Sequence, residues 1–206
     1  MIATHREPDD DRRNDPLTVS VVRSLEDYLE AVALRARVFM AEQDCPYHEE
    51  FDGNDLTANH IVARINGEPI ATCRIRWFAD FAKIERVCIH PDHRSLKLLR
   101  TFVREILDYC ARKGYRKAIS YSHADRAGEW QRFGFRLRAH RPPLCFSDFK
   151  YLEFEVDIEP HPEALHAEAP AALLNRPEGA WDRPGVLELS AARGAQNVTQ
   201  KLVDAA

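Results

Sequence analysis

The stretch IERVCIHPDHRSLKLLRTFVREIL, Ile84–Leu107, decides the reading of this chain. Its first residues continue an apolar run from Ala82, the pattern of a strand. Pro91 to Ser95 then form a turn. From Leu96 the apolar residues Leu99, Phe102 or Val103, Ile106 and Cys110 recur every three or four positions, which predicts a helix to about Arg112 that Gly114 ends. A helix start leaves backbone N–H groups unpaired at the positive end of the helix dipole, a natural place for an anion. Basic residues cluster here, from His90 to Arg104, and point to an anionic cofactor. A second basic cluster, Arg132 to Arg141, has no such helix start and reads as a solvated face.

Working outward, Leu17–Val22 has strand character. Ser24 with Asp27 three residues on resembles a capping box, and Leu29, Val32, Ala36 and Phe39 give Leu25–Gln43 a helical period. The stretch DCPYHEEFDGND is a loop by composition. Two strand-like runs then flank Asn66-Gly67, a pair suited to a tight hairpin because both central residues need positive φ. After the central helix come a buried-type strand (RKAISYS), a short helix (ADRAGEWQRFG), a strand (FRLRAH), a loop (RPPLCFSDF) and a closing strand (KYLEFEVDI). The order β-α-β-β-β-α-β-α-β-β predicts an α/β (α+β) mixed sheet with helices on its faces. Residues 1–16 read as a disordered leader, 17–158 as the domain, and 159–206 as a Pro/Ala/Glu-rich extension outside it. A short helix is expected in that extension and a marginal one over Val186–Ala206.

The bulk numbers fit one domain with tails. The chain has 206 residues, is 45% hydrophobic and carries a net charge of −4, so nothing overall points to nucleic acid. The five cysteines are widely spaced with no C-x-x-C, against a disulfide framework or structural zinc, and no metal is expected. No apolar run approaches the roughly 18 residues of a membrane span. The N-terminus lacks the apolar core of a signal peptide, so a reducing, bacterial-type cytoplasmic location is expected.

The element order around the central strand–turn–helix resembles the GNAT superfamily of acyl-CoA-dependent N-acyltransferases, over about Leu17–Ile158. More narrowly, Leu34, Arg35, Val38, Phe39, Glu42, Gln43, Cys45, Pro46, Tyr47, Asp52, Gly53, Asp55, Ala58 and His60 resemble the ElaA-type branch in type and spacing. The resemblance implies a mostly antiparallel sheet of six to seven strands with a central splay and about four flanking helices. It also implies a co-substrate, acetyl-CoA or another acyl-CoA. The pantetheine arm would lie along Val87, Cys88 and Ile89 as a peptide adds to a sheet edge. The pyrophosphate would sit at the helix start, on Arg94, Ser95, Leu96, Lys97, Leu98, Leu99 and Arg100. The family pattern there is Q/R-x-x-G-x-G/A. Arg94 matches its lead, but Lys97 and Leu99 replace the glycines that let the backbone approach phosphate closely. A family tyrosine that protonates the leaving thiolate is replaced by Trp130, whose indole N–H cannot serve as an acid.

Acyl transfer to an amine needs a base. Glu85 is the leading candidate. Strand alternation places it opposite Arg86 and on the same side as Val87; the competing reading is a surface carboxylate paired with arginine. His60 is a second candidate, against a hydrogen-bonded structural histidine. Tyr121 is a substitute acid, against a packed strand residue. Phe39, Glu42, Asp52, Asp55 and Arg74 are candidates around the acceptor, the acidic ones suiting a cationic amine, against a solvated loop with an Asx-turn. Cys45 has no histidine beside it and reads as a loop residue.

Three functions follow. The first is acyl transfer from CoA to a small-molecule amine. The second is an acyltransferase fed by an acyl carrier protein, as in autoinducer synthases and N-acyl amino acid synthases, which share this fold without the glycines. The third is a non-catalytic binding protein. A homodimer is a further expectation.

Overall fold

The computed structural model describes residues 17–193; the expected leader lies outside them. β1 (Thr18–Val21), β2 (Asn59–Ile65), β3 (Glu68–Trp77), β4 (Ala82–Ile89), β5 (Lys117–His123), β6 (Arg136–Leu137), β7 (Leu144–Phe146) and β8 (Phe149–Asp157) form one eight-stranded sheet. Its order is β1-β2-β3-β4-β5-β8-β6, with β7 also on β8. Only β4 and β5 run parallel; the other described pairings are antiparallel. Asn66 and Gly67, both at positive φ, close the β2–β3 hairpin as their sequence predicts.

The helices cover both faces. α1 (Leu25–Arg35), capped by Ser24 on the N–H of Asp27, lies against β2, β3 and β4. A short α2 (Tyr47–Glu50) follows. α3 (Leu96–Arg112) buries Phe102, Val103, Ile106 and Cys110 against Ile61, Ile75, Ile84 and Phe154. α4 (Ala127–Arg132) carries Trp130 into the same core. α5 (Ala171–Leu174) and α6 (Val186–Ala192) follow the sheet.

Four features differ from the sequence reading. The helix expected to Gln43 ends as an α-helix at Arg35 and continues as a π-helix over Ala36–Glu42. A three-or-four residue apolar spacing does not distinguish the two, and π-turns of this kind recur at functional sites. The strand expected over FRLRAH pairs only at Arg136–Leu137, because Pro142 and Pro143 soon follow. The stretch RPPLCFSDF is not all loop: Leu144–Phe146 pairs with β8 through a two-residue turn, Ser147-Asp148, both at positive φ. That strand brings the sheet to eight.

The segment after Glu159 does not stay apart from the domain. Trp181, 6% exposed, stacks on Tyr109 of α3 with ring centroids 5.6 Å apart. Glu178 accepts from the Tyr109 hydroxyl and from Lys113 Nζ, and Leu165 N–H donates to Arg112 O at 2.8 Å. A Cβ added to Gly179, at φ +71°, would meet Val21 Cγ2 at 2.4 Å, so only glycine lets this strap approach β1. Polar composition hid a few large apolar anchors. Of the helix expected to Ala206, Val186–Ala192 is present, and residues beyond 193 lie outside the described ones.

Candidate active site

β4 and β5 pair only from Ala82/Ala118 to Ile84/Ser120. Beyond that the strands part, and a cavity of about 920 Å³ opens between them. Val87, Cys88 and Ile89 form one wall; Tyr121, Ser122 and His123 form the other. The start of α3 closes one end with Arg94, Ser95, Leu96 and Leu99, and the β7–β8 hairpin closes the other with Phe146, Phe149 and Tyr151. Ser120 Oγ donates to Ile84 O at 3.0 Å, which fixes the point of divergence.

At the helix start, Ser95 Oγ accepts from Leu98 N–H at 3.1 Å and Ser95 O from Leu99 N–H at 3.0 Å. The N–H groups of Leu96 and Lys97 have no acceptor among the described residues. Lys97 and Arg100 are exposed and do not line the cavity. Leu99 packs half-buried against the core while bordering the cavity, and Leu98 packs there too. Trp130 meets Phe135 edge-on, centroids 4.7 Å apart, and forms a wall.

The strand β4 carries a bulge that corrects the alternation argument. Thr72 pairs with Cys88 but Arg74 pairs with Glu85, so β4 advances three residues for two of β3, and Arg86 takes φ +53°. Cross-strand partners share a face. Glu85 therefore faces the same way as Cys88, not Val87. Arg86 is not turned away from it, since both enter one ionic cluster.

That cluster is the electrostatic centre of the domain. Arg35 and Glu50 are each 0% exposed. Arg35 Nε meets Glu50 Oε1 at 2.5 Å and its Nη1 meets Asp55 Oδ1 at 2.6 Å. Arg74, fully buried, holds Asp52 by two bonds of 2.7 and 2.6 Å, Asp55 at 3.0 Å and Glu85 at 2.8 Å. Arg86 Nε lies 2.8 Å from Glu50 Oε2, and its guanidinium covers the Phe146 ring at 4.6 Å. The Glu49 carboxylate accepts the Ser147 N–H at 2.8 Å. Burial opposes ionisation of Asp52 and Asp55, yet the guanidiniums of Arg74 and Arg35 overcome it and hold both below the ordinary aspartate range. Burial pushes Glu50 the other way, upward.

The expected site residues thus separate. Phe39, Glu42, Asp52, Glu85 and Tyr121 line the cavity; Asp55, Arg74 and His60 do not. His60 is buried, with Nε2 3.1 Å from Asp55 O and its ring edge-on to Tyr28, and burial lowers its basicity. That is a structural histidine's surroundings. The aspartates, read as open to an amine, are held by arginines. Glu85 Oε1 is 2.6 Å from Lys83 Nζ while Oε2 faces Arg74. Tyr121 donates to Glu153 at 2.7 Å; burial, with that carboxylate, pushes its hydroxyl up to about 12. Arg94 donates through both terminal nitrogens to Glu42 at 2.6 and 2.5 Å, and through Nε to Ile89 O at 3.2 Å. Sequence reasoning missed Phe146, Phe149, Tyr151, Arg86 and Arg126 as lining residues. The aromatic run around Ser147-Asp148 was the available signal for the hairpin.

The splay of β4 from β5 beside the start of α3 agrees with the sequence match. The model of the Acetyltransferase (GNAT) family matches residues 23–135, and this chain belongs to that family. ElaA of Escherichia coli is 30% identical over 131 residues, covering 61% of this chain and 81% of ElaA. The crystal structure of E. coli ElaA superposes with TM-score 0.61 at 24% identity, over 69% of this chain and 99% of that one. An acyl-CoA N-acyltransferase from Pseudomonas aeruginosa superposes at 0.62 with 22% identity, over 69% and 99%. FeeM, an N-acyl amino acid synthase from uncultured soil microbes, superposes at 0.59 with 8% identity, over 70% and 93%. At these identities the superpositions speak to fold. No helix among the described residues is long and apolar enough to cross a membrane, and none of their side chains form a metal-holding group.

Proposed function

We propose that this chain is an N-acyltransferase that moves an acyl group from acyl-CoA to a small-molecule amine by direct transfer in the β4–β5 cleft. The observation that carries this reading is the parting of the strands at Ile84/Ser120 onto the unpaired N–H groups of Leu96 and Lys97. Those groups and Arg94 suit the phosphates of the donor. The freed edge of β4 suits its pantetheine arm. Loss of the two glycines leaves the N–H groups in place, and Lys97 is exposed and does not line the cavity.

In the reaction the amine nitrogen bonds to the thioester carbonyl, the C–S bond breaks, and an amide and a thiol result. The amine attacks as the free base; the proton then lost from the nitrogen of the tetrahedral adduct goes to Glu85, directly or through water, and solvent carries it back to reset Tyr121. Tyr121, on the opposite wall, is the donor for the leaving thiolate, its hydroxyl turning from Glu153 to the sulfur. Lys83, 4.9 Å from the Tyr121 ring centroid and paired with Glu85, links the two groups.

A second reading, a carrier-protein donor, is favoured by the side chains of Leu96 and Leu99 at the phosphate end and by the apolar far wall of Phe146, Phe149 and Leu144. The test is thiol release from acetyl-CoA, longer acyl-CoAs and an acyl carrier protein, each with a panel of primary amines. Amine-dependent release from a CoA thioester supports the first reading. Release only from the carrier replaces it with the second. No release from any donor rejects both.

A further inference from the structure

Glu42 ends the π-helix and reaches across the cavity mouth to Arg94, fifty-two residues away in sequence. Both side chains are partly exposed, 38% and 35%, and the contact is a two-bond fork. Arg94 is anchored from below by Ile89 O, so its terminal nitrogens have a fixed direction. Arg126, also on the cavity wall, and Arg37 add, after Arg94 itself, to the positive field that holds the Glu42 carboxyl below the ordinary glutamate range. One guanidinium thus grips the carboxylate, and the charges of two more act on it at longer range, at the end of the cavity near the N–H groups of Leu96 and Lys97.

A guanidinium fork fits a carboxylate and a phosphate equally well. We infer that Glu42 competes with donor phosphate for Arg94, so that the pair is a latch which weakens the binding of donors carrying a diphosphate and leaves an uncharged pantetheine arm unaffected. The inference rests on the acyltransferase reading for the donor's identity. An uncharged pantetheine gains nothing from Arg94 and leaves the latch shut. A diphosphate offers more oxygens and more charge than the carboxylate it replaces, with Arg126 on the facing wall. Glu42 therefore lowers the affinity of every phosphate-bearing donor.

The test is titration of the full chain with inorganic pyrophosphate, CoA and pantetheine, in the wild type, Glu42→Gln and Glu42→Gln/Arg94→Gln. Glu42→Gln is expected to bind pyrophosphate and CoA about two- to five-fold more tightly, the worth of a partly exposed ion pair. Pantetheine is expected to be unchanged, and the second substitution removes the gain. Unchanged or weaker binding of pyrophosphate and CoA by Glu42→Gln overturns the latch, as does an equal gain for pantetheine. CoA binding that ignores Glu42 sinks the latch and leaves the donor reading standing. A pyrophosphate gain with no binding of CoA or pantetheine upholds the latch and sinks the donor reading. Failure of every probe to bind either form overturns both. Unfolding midpoints of the variants exclude misfolding as the cause.

Discussion

Replacing Arg35 by methionine isolates the buried ionic cluster beside the cleft. Arg35 is fully buried and bonds Glu50 at 2.5 Å and Asp55 at 2.6 Å. Without it, Glu50 keeps the neighbouring Arg86, and Asp55 keeps Arg74, with His60 Nε2 at 3.8 Å. Removing one partner of a buried pair costs about 3–5 kcal/mol, because the other charge stays buried. For a domain of this size each kcal/mol is about 2–4 °C in midpoint, so Arg35→Met should lower it by about 6–20 °C. Urea and thermal unfolding give the number. The loss should also depend on pH. Asp55 is held below its ordinary value of 3.8, so its contribution is present above that value and fades as pH falls through the lower folded value. Glu50 is raised above its ordinary 4.5, and protonation relieves it. The gap between wild type and variant should narrow as pH falls from 7 toward 4, and Arg35→Met/Glu50→Gln should recover part of the loss. A deficit under about 1 kcal/mol, or one indifferent to pH, refutes the reasoning.

Glu85→Gln should lower turnover by about ten-fold or more with little change in donor affinity, read from steady-state kinetics; equal turnover removes Glu85 from the proton path. Lys97→Gly should leave CoA affinity unchanged in a calorimetric titration, since Lys97 lies outside the cavity; a clear loss shows that its charge contributes. Gly179→Ala should destabilise by about 1–3 kcal/mol in chemical unfolding, through overlap with Val21 and a positive φ, and a neutral result shows that the strap yields freely.

Local chemistry was legible where local rules decide. Asn66-Gly67 announces its hairpin, Ser24 its cap, and the spacing from Leu99 to Cys110 the buried face of α3. The splay was reachable only through family likeness, because no residue pattern marks where two parallel strands separate. The bulge at Arg86 was illegible for a plainer reason: it is arginine, not glycine, that adopts the positive φ, held there by Glu50 and the backbone of Glu49. One inserted residue then moves Glu85 to the opposite face from the one alternation gives. The aspartates looked available because their arginine partners are distant in sequence, Arg35 and Arg74 lying 20 and 19 residues from Asp55 and Arg74 22 residues from Asp52, and meet them only in the fold. The strap after Glu159 hid its anchors, Trp181, Leu165 and Leu173, in a polar, proline-rich stretch.

The central claim is that the β4–β5 cleft holds an acyl-CoA donor. It is tested most directly by calorimetric titration of the wild type and Leu96→Trp with CoA. Leu96 lines the cavity yet is 47% exposed, so the larger indole narrows the phosphate end without disturbing the core. The account predicts one site with a dissociation constant between about 1 μM and 1 mM, and at least about ten-fold weaker binding in the variant. Equal binding in both proteins, or none in the wild type at millimolar CoA, would contradict it.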